Sequence, residues 1–435
     1  MSAAIPTQRR RGSASDTWPR VRLGEVCNIN MGQSPESSTY NSSSEGLPFY
    51  QGNADFGIIH PKPRVWCSAP VKIAKAGDLL ISVRAPIGAL NFANERCCIG
   101  RGLAALSALP NVEYGFLYYA LKSKVAELNA KGTGSTFKAI NKRALSAISI
   151  VLPPLAIQRR IAAKLDLLCD IVSKRKNQLS QLNQLVKSRF VEMFGDVHDS
   201  VAIGQACVVM NGYAFKSAQY VSDGIRVIRI TNVQQGYMED PNPEFYPREK
   251  EGEIQKYMLQ ENDLLISLTG NVGRVALLPK EFLPAGLNQR VGCLRIRSGI
   301  NLLKSYLYWA LNNQTFECAC IESSRGVAQK NMSSEWLKQY LIPIPPLALQ
   351  REFAAFVEKV DKLAAAVKRG LEAAERLYRQ QMQEFFGEAA TKTAETTKTT
   401  KTANAGGFSL SGLSTPSQGL NSPVGHRAKG GNANG

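Results

Sequence analysis

Histidine is almost absent from this chain. His60, His198 and His426 are the only three in 435 residues, which leaves little for imidazole catalysis or a His-rich metal site. Cysteine occurs nine times, an odd number, and no two stand in a C-x-x-C spacing. Cys97-Cys98 and Cys318-Ala-Cys320 do not have zinc-finger spacing. Scattered free thiols suit a reducing cytoplasm. No apolar run approaches the ~18 residues of a membrane span. The opening MSAAIPTQRRRGSASD has no apolar leader segment, so we expect a cytoplasmic chain with no membrane partner. Phosphate-binding G-x-x-x-x-G-K-[ST] is missing. Gly132-Thr-Gly134-Ser is too short for a dinucleotide loop. We therefore expect no catalytic residue, no metal and no cofactor bound by this chain.

Acidic residues are also scarce. Lys and Arg number 53 against 35 Asp and Glu, a net charge of +18. Residues 1–20 contribute +3 and the Thr/Lys/Gly/Asn-rich stretch 388–435 another +3, leaving +12 on the remainder. Both ends lack the apolar content to offset ordering entropy, so 1–19 and 388–435 are expected to be unstructured. The excess on the body of the chain points to a polyanionic partner, most simply nucleic acid.

The sequence repeats itself. Asp78-Leu79-Leu80-Ile81-Ser82 recurs as Asp263-Leu264-Leu265-Ile266-Ser267, 185 residues on. Leu117-Tyr118-Tyr119-Ala120-Leu121 recurs as Leu307-Tyr308-Trp309-Ala310-Leu311 at an offset of 190. Pro153-Pro154-Leu155-Ala156-Ile157-Gln158-Arg159 recurs as Pro345-Pro346-Leu347-Ala348-Leu349-Gln350-Arg351 at 192, as does Phe194-Gly195 in Phe386-Gly387. Four segments in constant order mean a tandem duplication.

Each copy has two parts. The first, 20–152 or 196–343, holds short apolar runs between Gly, Pro and Asn punctuation, with strands such as 227–230, and a helix near 114–128 or 303–319. This predicts an α+β fold. The second part, 153–195 or 344–387, is one long helix that starts at the Pro pair and stops at Gly195 or Gly387. Its heptad seam runs through Ile161, Leu165, Leu168, Val172, Arg175, Leu179, Leu182, Val186, Arg189 and Met193. Adding 192 gives Phe353, Val357, Val360, Ala364, Val367, Leu371, Ala374, Tyr378, Gln381 and Phe385. Two such seams in one chain predict an antiparallel intramolecular coiled coil, roughly 55 Å long at ~1.5 Å per residue, holding two pseudo-symmetric mixed α/β domains apart. A parallel or intermolecular pairing is the structural rival. Arg175 and Arg189 read either as snorkelling side chains or as register devices.

These features resemble the specificity subunit of type I restriction–modification systems. The doubled Pro-Pro-Leu-Ala-(Ile/Leu)-Gln-Arg, the doubled Asp-Leu-Leu-Ile-Ser, the Ser267-Leu-Thr-Gly270-Asn-Val-Gly273-Arg segment and the helix-ending Met193-Phe-Gly195 and Phe385-Phe-Gly387 carry the resemblance over nearly all of 20–387. It implies two target-recognition domains, each reading half of a split double-stranded DNA site. It also implies two docked methyltransferase subunits and, where restriction accompanies modification, two ATP-driven restriction/translocase subunits. S-adenosylmethionine, ATP and Mg2+ would then sit on the partners, and the methylated atom would be adenine N6. The Asn/Asp-Pro-Pro-Tyr/Phe signature of adenine methyltransferases is absent from this chain.

Phosphates are neutralised by Lys and Arg, and base edges are read by Arg, Lys, Asn and Gln. Beside turn signals in the first domain these criteria select Gln33, Ser34, Gln51, Asn53, Arg84, Arg101 and Lys138. In the second they select Tyr213, Phe215, Lys216, Arg229, Thr231, Asn232, Asn271, Arg274, Gln289, Arg290 and Lys330. The competing function is a non-catalytic scaffold that dimerises another protein and binds DNA only through charge.

Overall fold

A computed structural model describes residues 18–134, 138–324 and 331–387. Of the expected unstructured ends, 1–19 and 388–435, residues 1–17 and 388–435 lie outside the described residues, as does the candidate Lys330, whereas Trp18 packs against the first core. The chain divides into two compact units. One takes in the first head, the long first helix to Arg175 and the second long helix from Gly370; the other takes in Lys176–Arg369. The units thus do not follow the helix boundaries, since each includes half of both long helices.

In the first unit a four-stranded antiparallel sheet runs in the order Cys27–Met31, Leu103–Ala108, Leu79–Ser82, Leu90–Phe92. A second, five-stranded sheet pairs Leu47–Tyr50 in parallel with Cys97–Ile99. Arg20–Arg22 pairs with Ser149–Val151, closing the head just before the Pro pair. The helix expected over 114–128 is two, Tyr114–Ser123 and Val125–Ala130, because Lys124 leaves helical geometry at φ −98°, ψ 6°.

The second unit repeats the plan. Cys207–Asn211, Val291–Ile296, Leu264–Ser267 and Val275–Leu277 form the matching four-stranded sheet, and Ser200–Ala202 pairs with Leu341–Pro343. Its other sheet has only three strands, Phe245–Tyr246, Ile225–Ile228 and Ala285–Leu287. The strand expected at 227–230 is therefore shifted, and Arg229 already belongs to a turn. The helix over 303–319 again divides, into Lys304–Leu311 and Gln314–Ser323, with Asn313 capping the second through Phe316 N–H at 2.9 Å.

The repeated Asp-Leu-Leu-Ile-Ser has a local explanation. Asp78 accepts Lys75 N–H at 2.8 Å and Asp263 accepts Gln260 N–H at 2.8 Å, each tying the turn before its strand. Gly77 (φ +86°) and Asn262 (φ +62°) fill the left-handed position of those turns. At the strand's far end Ser82 Oγ donates to Pro86 O at 2.7 Å and accepts Ala89 N–H at 2.8 Å. Ser267 makes the equivalent bonds to Asn271 O and Arg274 N–H. The Ser fixes the loop that follows.

The long helices span Leu155–Phe194 and Leu347–Phe386, 40 residues each, or about 60 Å apiece. All twenty seam positions are buried or half-buried. Within the first unit Phe386 shares a core with Ile161, Leu165 and Phe116, and a Cβ on Gly370 would sit 3.4 Å from Arg175 Nε. The start of one helix therefore lies beside the end of the other. Within the second unit Phe190 and Phe194 pack on Phe353 with ring centroids 5.4 Å apart. Both pairings are antiparallel. In the final turns the most buried aromatics are Phe194 and Phe386, one residue beyond the seam expectation of Met193 and Phe385. Arg189 bridges Glu192 (2.8 Å) on its own helix and Glu352 (3.0 Å) on the other.

The repeated Gln158 and Gln350 seat each helix on its head. Gln158, 1% exposed, accepts Glu113 N–H at 2.9 Å and donates to Asn111 O (3.0 Å) and Pro153 O (2.8 Å). Gln350 does the same with Leu303 N–H (2.8 Å), Asn301 O (2.9 Å) and Pro345 O (2.8 Å). Both amides are fully used inside apolar surroundings, where an unpaired polar group would be costly.

Candidate nucleic-acid interface

Each unit has a polar cleft at one end of its four-stranded sheet. In the first, Gln51, Asn53, Arg84 and Arg101 line a cleft of about 490 Å³ together with Tyr40, Phe49, Asp55 and Arg64. The four candidates come from three chain segments that backbone bonds draw together. Gly102 N–H donates to Gln51 O at 3.2 Å and Val83 N–H to Gly102 O at 2.9 Å. Ser34 Oγ accepts Arg101 N–H at 3.3 Å, Gln33 N–H donates to Ile99 O, and Ala85 N–H donates to Lys138 O at 3.1 Å. Gln33, Ser34 and Lys138 thus flank the cleft without lining it. Gln33, Gln51, Arg84, Arg101 and Lys138 are exposed.

Asp55 escaped sequence reasoning. It is 9% exposed, accepts the N–H groups of Gln51 (2.8 Å) and Gly52 (3.3 Å), and is held by Arg64. It is the positioning residue of the Gln51–Asn53 loop. Tyr40 was likewise missed. It stacks on Phe49 at 4.8 Å and donates to Pro35 O at 2.9 Å. Desolvation raises the Tyr40 phenol above its ordinary range, so it remains a neutral donor. A lone Asp or Tyr amid loop residues has no periodic signature that would single it out.

In the second unit Arg229, Thr231, Asn232, Asn271 and Arg274 line a cleft of about 630 Å³ with Gln234, Glu239, Asp240 and Glu244. Their chemistry is less open. Arg229 donates to Asn242 O at 2.6 Å and lies 3.5 Å from Glu244. Arg274 donates to Gln234 Oε1. Asn232 corrects the sequence reading. It is 1% exposed, accepts Arg229 N–H at 2.8 Å and donates to Glu239 O (3.0 Å) and Asp240 (2.8 Å). Its amide is consumed in shaping the cleft and offers nothing to a base edge. Tyr213 and Phe215 need the same correction. Their rings pack on each other at 5.1 Å and, for Phe215, on Tyr246 at 5.1 Å, forming a small aromatic core rather than projecting side chains. Lys216, Gln289 and Arg290 are exposed and stand outside the cleft lining.

Among the described residues no cluster of His, Cys, Asp and Glu could hold a metal ion. His60 Nδ1 lies 2.9 Å from Phe92 O. Burial pushes the thiols of Cys27, Cys97 and Cys320 up to about 12, which keeps them protonated at neutral pH. No helix among the described residues is long and apolar enough to cross a membrane.

The geometry defines a class: a duplicated chain whose two units each present a loop-built polar cleft beside a seated long helix. The chain belongs to the type I restriction–modification DNA specificity family, whose domain model matches residues 15–184 and 198–376. A Methanocaldococcus jannaschii type I restriction enzyme specificity subunit, MjaX, is 41% identical over 179 residues; the match covers 40% of this chain and 42% of that relative's own length. The Escherichia coli EcoBI specificity subunit is 22% identical over 402 residues, 82% of both chains. In the solved structures, the type I S subunit from M. genitalium matches the fold with a TM-score of 0.54 at 14% identity, over 88% of this chain and 99% of that one.

Proposed function

We propose that each unit reads one half of a bipartite, asymmetric site on double-stranded DNA, and that the paired long helices set the number of unread base pairs between the halves. The observation that carries this is the doubled cleft, built at equivalent strand ends from amide and guanidinium groups that match base edges and phosphates. The clefts differ in nearly every lining residue, so the two halves should differ in sequence.

The chain supplies no catalysis. It acts in the cytoplasm, docking two methyltransferase subunits that use S-adenosylmethionine to methylate adenine N6. In a restricting system it also docks two restriction/translocase subunits that use ATP and Mg2+. Leu167, Leu185, Val191, Leu363 and Leu377 support the docking reading: each stands at least 42% exposed on a long helix, off the seam, where a partner would cover it.

The test is to sequence modified bases in DNA from cells carrying the native methyltransferase with and without this chain. A methylated split motif that disappears on deletion is expected. An unchanged methylome with an active methyltransferase would leave only the scaffold reading. Adding one heptad to 161–193 and one to 353–385 should lengthen the spacer and leave both half-sites intact; an unchanged spacer would defeat the ruler role of the helices.

A further inference from the structure

We infer that the two units hold DNA by different forces: the first through unpaired cations on phosphates, the second mainly through hydrogen bonds from a charge-balanced surface. The inference rests on the DNA-reading function proposed above.

The two clefts can be superposed position by position from their backbone bonds. Leu103 pairs with Ser82 and Val291 with Ser267, so Arg101 corresponds to Gln289. Arg84 bridges Ala139 as Thr269 bridges Asn331, so Arg84 corresponds to Thr269. Gly100 N–H donates to Tyr50 O and Asn288 N–H to Ile228 O, so Gln51 corresponds to Arg229. Arg84 and Arg101, which line the first cleft, therefore have neutral counterparts in the second head, Thr269 and Gln289, which stand outside its cleft lining. Two cations are gained there: Arg229, bound to Glu244 and Asn242 O, and Arg274, which takes the place of Ala89 and donates to Gln234 Oε1.

Ion pairing is weighted the same way, with Arg64 of the first cleft, held by Asp55, the exception. Among the described residues, Arg84, Arg101 and Lys138 have no carboxylate within ion-pair distance. In the second head Arg226 is paired with Asp240, and Arg295 with Asp263 at 2.6 Å. The totals agree. Residues 20–152 carry 15 Lys and Arg against 8 Asp and Glu, whereas 196–343 carry 15 against 15. The heads are thus +7 and 0. A paired arginine is already neutralised by its carboxylate and displaces fewer of the cations condensed on the DNA phosphates, so it adds little to the salt-dependent term.

The experiment uses the full chain in complex with its methyltransferase and measures affinity for the methylated-motif duplex from 50 to 200 mM salt. The partner's own phosphate contacts are common to every variant. Each phosphate contact contributes about 0.9 to the slope of log K against log salt. Arg84→Ala with Arg101→Ala should make the slope shallower by about 1.8, so the variant loses about twelvefold less affinity than wild type across that range. Lys216→Ala with Arg290→Ala, two exposed cations of the second head, should change the slope by less than half as much. Thermal melting checks that both doubles fold. Equal changes in the two doubles would overturn the inference. So would an unchanged slope in Arg84→Ala/Arg101→Ala, including the case where that double loses only sequence preference, because the arginines would then read bases. A wild-type complex with no sequence preference would instead sink the DNA-reading function itself, which makes the two failures distinguishable.

Discussion

Replacing Gln158 tests how the first head is fixed to its helix. The side chain satisfies three backbone groups at once: Glu113 N–H, Asn111 O and Pro153 O, at 2.9, 3.0 and 2.8 Å. Glu113 is also the N-cap of Tyr114–Ser123, holding Gly115 N–H at 2.9 Å and Phe116 N–H with its carboxylate. Gln158→Leu keeps most of the volume and removes every polar partner. Each orphaned buried group costs about 1 kcal/mol or more, so the unit should lose about 3 kcal/mol. In a unit of this size that is a fall in Tm of about 6–12 °C. Differential scanning calorimetry reads it directly. Arg159→Ala, on the exposed side of the same turn, is the control and should be near neutral. Gln350→Leu should produce a loss of the same size in the second unit, where the three partners are equivalent. A loss below about 1 kcal/mol, or one no larger than that of Arg159→Ala, would show that the helix is held by apolar packing alone.

Two further outcomes follow from buried ionisable groups. Burial pushes the Asp361 carboxyl up to about 6, above its unfolded value, so the folded state holds more protons and stability falls as pH rises from about 4 to about 6. Asp361→Asn should raise stability by about 1–2 kcal/mol at pH 8, allowing for screening by solvent, and by almost nothing near pH 4; equal Tm gains at both pH values would refute this. Cys318 is the one exposed thiol, Cys169 is half-buried and the other seven are buried. A thiol reagent on the native protein should therefore label Cys318 first and Cys169 more slowly, as peptide mapping by mass spectrometry will show; fast labelling of Cys97 or Cys98 would contradict the burial.

Much of the architecture was legible because its signals are local or periodic. The Pro pairs and terminal glycines marked the ends of the long helices, and the 4,3 spacing over 161–193 and 353–385 named the buried stripe, since a helix can hide only what recurs near every 3.5 residues. The repeated Asp and Ser around Leu-Leu-Ile marked turns whose bonds span only three to seven residues. Charge count and duplication follow from the sequence alone. Tertiary structure decided the rest. Asn232 is consumed by groups three to eight residues away that only the folded loop brings onto its amide, and Tyr213 and Phe215 are covered by Tyr246 from a distant segment, so folding turned three apparent surface residues into scaffolding. Asp55 became important only when Arg64 and the Gln51 loop closed around it. Antiparallel pairing rests on the packing of Phe190 against Phe353 and on the core that Ile161 shares with Phe386, because a heptad specifies a stripe but carries no direction. The unequal clefts arise the same way: a cation's availability depends on whether folding brings a carboxylate beside it, and no residue's identity records that.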